Sequence, residues 1–458
     1  MTRTEAVMGA IRAKIASGAL GVGDRAPSIR GCARSLGVSP STVVEAYDRL
    51  EAEGVIQGRR GSGFYVARAD AQPLVIAPIE ETRERDLDPF WISKQSLDAD
   101  PSLAAPGCGW LPSDWMPHLA LRRGLRGLSR APERVLTQYG STRGAVALRR
   151  LLQARLADEG VAAGLDQFLL TGSGTQAIDM ICRLLVRPGA VVLVDDPCYF
   201  NFRALLQAHD VQVVGVPYTA AGPDVAVFEQ RMVEHRPQLY ITNSALHNPT
   251  GASLSPQVAH QVLRAAAAHG LTIVEDDIFA DFEPTPSPRL AVLDGLDRVI
   301  RIGSFSKTLS ASVRCGYVAA RPDLIERLVD LQIATNFGGP SPLAAELVAA
   351  VLGGGGYRKH MDEVRRRLVR ARTEAIARLV PLGLQPWVRP RGGFYLWCRL
   401  PEGQDSGLIA RRCLAEGVML APGDTFSVSQ SAAGFLRFNV AHMGDARIFD
   451  TLRRAMAG

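Results

Sequence analysis

Lysine is nearly missing from this chain. Only Lys14, Lys94, Lys307 and Lys359 occur among its 52 basic residues; the other 48 are arginine. Most lysines are solvated surface cations, but arginine can serve as a surface charge without being able to form a Schiff base, so each retained lysine is a candidate for chemistry. Long apolar runs are also missing: none approaches the roughly 18 residues of a membrane-spanning helix. The opening run MTRTEAVMGAIRAKIASG is periodic and broken by charge, without the continuous apolar stretch of a secretory leader. The expected location is therefore the cytoplasm, with no membrane partner. Seven cysteines, an odd and scattered set with no CxxC pair, exclude a disulfide framework, a zinc ribbon and a dithiol redox motif. They are expected to be reduced thiols, and no metal is expected.

A chain of 458 residues exceeds what one hydrophobic core sustains, so at least two domains are expected. The composition, 47% hydrophobic and 21% charged, is that of an ordinary globular protein. The net charge of +6 is unevenly spread. Residues 1–68 carry ten Lys/Arg against six Asp/Glu, which places two thirds of the excess at the front of the chain and points to a nucleic-acid partner there.

Within residues 1–68, Ile29, Ala33 and Leu36 recur at helical spacing, Gly37 breaks the pattern, and Val43, Tyr47 and Leu50 begin a second amphipathic stretch. Two short helices around a glycine turn predict a helix-turn-helix. Ser39 or Ser41 can cap the second helix, Pro40 suits its first turn and Gly54 its end. VIQ and FYV then flank GRRGSG, predicting a hairpin wing with two arginines. The second helix would enter the major groove of double-stranded DNA with Ser39, Ser41 and Thr42 foremost, while Arg30, Arg59 and Arg60 meet the backbone or a minor groove. The alternative is a small helical subdomain whose charges face solvent. The runs PSIR, LGVSPSTVVEAYDRL and GSGFYV resemble the winged helix-turn-helix of GntR-family repressors. Pro40 departs from that pattern, standing where many members carry a DNA-contacting arginine.

Residues 69–88 mix proline with charge and read as a linker. From residue 89 to 458, long helical patterns alternate with the short apolar runs FLLTG, AVVLVDDP, VQVVGVP, QLYITN, LTIVEDD and RVIRIGSFSK. This predicts an α/β fold with a mainly parallel central sheet whose function collects at the carboxyl ends of the strands. One such end delivers Lys307 among Ser304, Ser306 and Ser310, where an amine can be kept deprotonated enough to attack an aldehyde; Arg314 follows seven residues later, within reach of a phosphate. LLTGSGTQAIDM places Gly172 to Gln176 between a strand and a helix, a phosphate cradle. TIVEDD ends in Asp276 and Asp277, and a carboxylate there can pair with a protonated pyridine nitrogen.

With HNPTG at 247–251, these motifs resemble pyridoxal-phosphate enzymes of the aspartate aminotransferase fold (fold type I) over nearly all of residues 89–458. The resemblance implies pyridoxal 5'-phosphate as cofactor. Lys307 would hold its aldehyde and be the catalytic residue. Asp276 would pair with the ring nitrogen, Asn248 would bond the ring hydroxyl and Tyr199 would stack on the ring. Gly174, Thr175, Gln176, Ser304, Ser306 and Arg314 would hold the phosphate, with Tyr139 reaching the phosphate of a second subunit in a homodimer. Arg437 would clamp the carboxylate of a substrate or effector. The fold usually carries a tyrosine shortly after the aspartate, but Ile278 and Phe279 stand there, which leaves Asn248 alone on the ring hydroxyl.

A GntR-like reader followed by an aminotransferase-like domain resembles the MocR subfamily of bacterial transcription regulators. That implies a DNA-binding regulator whose large domain senses pyridoxal phosphate, an amino acid or an amine. The alternative is a working aminotransferase with an accessory DNA-binding domain, so enzymatic activity stays open, as does the choice between acidic and neutral amino acids.

Overall fold

The computed structural model describes residues 2–59, 61–67, 97 and 102–457. Arg60 and the 69–88 linker lie outside the described residues. The chain divides into two compact units, Met1–Glu84 and Arg85–Gly458.

In the first unit three helices, α1 (Arg3–Ala16), α2 (Ile29–Leu36) and α3 (Pro40–Ala52), precede a hairpin of β1 (Ile56–Arg59) and β2 (Gly63–Val66). The turn between α2 and α3 is set by local chemistry. Ser28 caps α2 by accepting from the Gly31 N–H, and Gly37 takes the left-handed conformation that ends it. Ser39 then caps α3, accepting from the Thr42 N–H, with Pro40 in the first turn. The helices close on Val7, Ile11, Val43, Tyr47 and Leu50; the Tyr47 hydroxyl donates to the Pro27 carbonyl at 2.8 Å, and its ring meets Phe64 edge-on. Leu36, predicted as part of the apolar face of α2, is 41% exposed, and Cys32 fills the core position instead. Glycine breaks the helix immediately after Leu36, and the side chain at the last turn points past the core.

The second unit is built on an eight-stranded sheet in the order β3-β10-β9-β8-β7-β4-β5-β6. The six predicted runs form β3 (Phe168–Thr171), β4 (Val191–Asp196), β5 (Gln212–Thr219), β7 (Leu239–Thr242), β8 (Thr272–Asp276) and β9 (Val299–Ser304). The strands β9, β8, β7, β4 and β5 pair in parallel. The short β6 (Gly222–Pro223) closes one edge, antiparallel to β5. The strand β10 (Gly316–Ala319) runs antiparallel between β9 and β3, so the sheet is mixed but mainly parallel. Its central strands β9, β8 and β7 are almost wholly buried on both faces, as expected of a sheet covered on both sides by helices. A second, antiparallel sheet combines β11 (Gln385–Pro386), β12 (Tyr395–Arg399), β13 (Ala421–Pro422) and β14 (Phe435–Asn439) in the order β11-β12-β14-β13.

All seven cysteines are buried and free. Among the described residues no group of side chains could hold a metal ion, and no helix is long and apolar enough to cross a membrane.

Candidate ligand-binding site and nucleic-acid interface

Alternation along β8 and into the residue that follows it separates Glu275, Asp276 and Asp277 into different tasks. Glu275 is buried and accepts from the Leu290 and Ala291 N–H groups. Asp277 is consumed by two arginines, Arg289 and Arg301, each with its side chain about 5% exposed. Asp276 alone lines a cavity of about 370 Å³ at the carboxyl ends of the strands, the size and placement of a small-molecule site. Its Oδ1 accepts from the Ile278 N–H at 3.1 Å, and burial pushes its acid up to about 7.

Lys307, delivered by the loop after β9, lines the same cavity, its ammonium 5.7 Å from the centre of the Trp110 ring. Burial brings its amine down to about 8. The positive Arg437 and Arg314 push the same way, and Cys108 and Asp276 partly oppose them. A lysine so adjusted is a nucleophile near neutral pH.

At one end of the cavity, helix α4 (Gly174–Leu185) presents its N-terminus with Ser173, Gly174 and Thr175. Ser304 and Ser306 close this end: the Ser304 hydroxyl donates to Ser306 at 3.1 Å and also lies 3.4 Å from the carbonyl of Cys315. Arg314, next to Cys315, is exposed and also lines the cavity. The close packing depends on Gly316 in β10: a β-carbon there would come within 2.8 Å of the Ser173 backbone and 3.0 Å of the Gly174 nitrogen. Gln176 departs from expectation in its side chain, which turns back to accept from the Gly172 N–H, while its own N–H is taken by Ser173; it is not among the cavity-lining residues. Tyr139 is 80% exposed beside Phe337, outside the cavity of its own chain.

Arg437 also lines the cavity. Strand β14 carries it to full burial between the rings of Tyr395 and Phe426, at 4.3 and 4.7 Å. It donates to the side-chain oxygen of Asn248 at 3.0 Å and to the Gly107 carbonyl at 2.7 Å, leaving three of the five guanidinium N–H groups unengaged. Its Nε is buried with no partner, and no carboxylate pairs with it among the described residues. A buried cation left in this state is prepared for an anion that enters the cavity.

Asn248 is held by its own scaffold. Its N–H donates to the Asn243 side chain, whose amide nitrogen in turn donates to the Asp276 carbonyl. Beside it His247 stacks on Tyr218 at 3.8 Å and lies 3.2 Å from the Asp195 carboxylate, which also receives Tyr240 and Thr242. Tyr199, at the start of helix α5 (Phe200–Ala208), completes the wall, its phenol pushed up to about 12 by burial. Ile278 and Phe279 also line the cavity, and Phe279 packs on Tyr395, whose hydroxyl is spent on the Gly109 carbonyl. Asn243, Trp110, Tyr395 and Gly107 were not singled out from sequence; only Asn243, the polar end of the QLYITN strand, carried a visible signal.

On the first unit, Arg30 on α2 and Ser41 on α3 are exposed, and Thr42 is half-buried. Ser39 is engaged as the cap, its hydroxyl 2.8 Å from those of both Ser41 and Thr42. Arg59 lies in the hairpin with its guanidinium over the Tyr65 ring at 4.3 Å.

A mainly parallel sheet and a smaller antiparallel one, which together gather a depressed lysine, a buried carboxylate and a guanidinium without a carboxylate partner among the described residues around one cavity, define an α/β protein with a candidate small-molecule site. Residues 119–454 match aminotransferases of class I and II, so the chain belongs to that family; residues 3–66 match the bacterial regulatory proteins of the gntR family, so it carries a GntR domain at its front. The chain is similar to the HTH-type transcriptional regulator YdcR of Escherichia coli (strain K12), 28% identical over 442 residues, covering 94% of this chain and 93% of that protein. It is also similar to the HTH-type transcriptional regulator NorG of Staphylococcus aureus (strain USA300), 26% identical over 411 residues, covering 87% and 91%. Among solved structures it is similar to LysN, an α-aminoadipate aminotransferase of Thermus thermophilus complexed with N-(5'-phosphopyridoxyl)-L-leucine. The identity is 26% and the TM-score 0.72, covering 80% of this chain and 94% of that one. The Pyrococcus horikoshii kynurenine aminotransferase, 23% identical with a TM-score of 0.74 over 82% and 94%, shares the fold.

Proposed function

We propose that this chain is a DNA-binding transcription regulator of MocR type whose aminotransferase-like unit senses pyridoxal phosphate and an amino acid or amine. The observation that carries the reading is the pairing, in one cavity, of Lys307 with a buried Arg437 that has no carboxylate partner among the described residues, on a chain whose front unit is a winged helix-turn-helix. The relatives named as regulators align with both units, which supports regulation over a free-standing enzyme.

The residues fit pyridoxal phosphate. The α4 N-terminus, with Ser304, Ser306 and Arg314, suits the phosphate, and the cradle that a β-carbon at Gly316 would disturb supports this. Lys307 would bind the aldehyde, Asp276 face the ring nitrogen, Asn248 offer its amide nitrogen to the ring hydroxyl, and Tyr199 cover the ring. Bound there, the cofactor would supply an electrophilic carbon for an incoming amine. Arg437 would orient that amine by its carboxylate, and the aromatic wall would exclude water. Tyr139, exposed with Phe337, suits contact with a second copy of the chain in a homodimer. Arg30, Arg59, Ser41 and Thr42 would meet double-stranded DNA.

A working aminotransferase is the second reading, favoured by a lysine brought down to about 8 beside Asp276. The test is the visible absorbance of the protein loaded with pyridoxal phosphate, before and after borohydride, beside Lys307→Ala, followed by DNA binding with and without amino acids. A band fixed by borohydride only when Lys307 is present, together with DNA affinity that responds to an amino acid without repeated turnover, supports regulation. Multiple turnovers with no effect on DNA binding would favour the enzyme.

A further inference from the structure

We infer that Val44 is a specificity-determining residue of the front unit, reading a thymine methyl group in the major groove; the inference rests on the DNA-binding reading above. One face of α3 is committed to folding: Val43, Ala46, Tyr47 and Leu50 lie in the core of the unit. The other face exposes Pro40, Ser41, Val44, Glu45, Asp48 and Arg49. Val44 is 40% exposed, a β-branched residue that neither joins the core nor favours a helix. Pro40 stands four residues before it and Ser41 three before it, so the three side chains share one patch at the start of α3.

The polar groups around this patch are engaged. The Glu45 carboxylate accepts from Arg49 at 2.6 Å and from the Thr4 hydroxyl of α1 at 3.4 Å. The Ser41 hydroxyl lies 2.8 Å from that of Ser39. Arg49 is the one cation among the thirteen residues of α3, and it stands in the last turn. The leading turns of the helix therefore carry no guanidinium to grip a guanine edge, the commonest specific contact in the major groove. What they offer is aliphatic surface, and the one aliphatic group on a base edge in that groove is the thymine methyl. An isopropyl group laid on that methyl gains by burial. Laid on cytosine, it would cover the exocyclic amine without offering it an acceptor. Backbone contacts fall to other elements, with Arg30 exposed on α2 and Arg59 exposed in the hairpin.

The test uses the full-length protein with pyridoxal phosphate present. A duplex selected by the protein from a random pool is measured by fluorescence anisotropy, and each of its thymines is replaced in turn by uracil, which keeps the base pair and removes the methyl alone. At least one replacement is expected to weaken binding roughly fourfold, the order of one buried methyl group. In Val44→Ala that penalty should vanish while the salt dependence of binding stays as in wild type, since no phosphate contact is lost. Val44 lies outside the core, so thermal unfolding of the variant should match wild type. If no uracil replacement matters, or if the same penalty persists in Val44→Ala, the inference is overturned and DNA binding stands. If no duplex is enriched from the pool, DNA binding itself fails and the inference falls with it.

Discussion

Arg437 donates from Nη1 to the side-chain oxygen of Asn248, 3.0 Å away and 189 residues distant in the chain. The bond joins the two sheets' contributions to the cavity: Asn248 follows β7 of the central sheet, and Arg437 sits in β14 of the antiparallel one. It aims the guanidinium while keeping the Asn248 amide nitrogen for another partner.

Arg437→Met should therefore abolish the response to amino acids while the protein still takes up pyridoxal phosphate. Asn248→Ala should weaken amino-acid affinity by about tenfold, the order of one hydrogen bond to a charged group. Spectral titration of both variants checks the pair; an unchanged amino-acid affinity in Arg437→Met would remove this arginine from recognition.

The depressed Lys307 amine makes cofactor uptake pH-dependent. The neutral amine is the nucleophile, and its fraction grows as pH rises through about 8, below the ordinary lysine value of 10.5. The rate of uptake, followed by visible absorbance, should rise with a midpoint near 8 and level off above it. A rate still climbing through pH values of about 10 would mean that the lysine keeps its ordinary basicity despite its surroundings.

Asp277 holds structure where Asp276 serves the cavity. Asp277→Ala leaves Arg289 and Arg301 with Glu283 and Glu159 but without their shared buried partner, so a loss of about 3 kcal/mol is expected on chemical denaturation. A stability within experimental error of wild type would show that the remaining carboxylates suffice.

In the first unit, Ser39→Ala removes the α3 cap and should cost about 1 kcal/mol of stability. Arg30→Ala and Arg59→Ala should leave stability nearly unchanged but lower the salt dependence of DNA binding by about one unit of slope each. Fluorescence anisotropy across a salt series separates the two effects, and an unaltered slope in both arginine variants would place the DNA elsewhere on the unit.

Local chemistry was readable in advance wherever one short segment contained the whole cause. The Ser39–Pro40 start of α3, the Gly37 turn, the buried parallel strands and the helix N-terminus at Ser173–Thr175 that lines the cavity are of this kind. Lys307 stood out because so few lysines exist to choose from. The strand β10 was less visible because four residues of glycine, tyrosine, valine and alanine carry little pattern of their own; their antiparallel place follows from pairing with both β3 and β9.

The order of residues along the chain determined which helices and strands form, where they stop, and which side chains stand at the strand ends, because capping, glycine conformation and apolar periodicity act over a few residues. Tertiary structure decided the rest. It assigned Asp276 to the cavity and Asp277 to two arginines, turned Gln176 away toward Gly172, brought Trp110 and Tyr395 to Lys307 and Arg437, and left Arg437 buried without a carboxylate among the described residues. These outcomes depend on burial and on partners distant in the chain, and desolvation has no value until the fold has closed around the group.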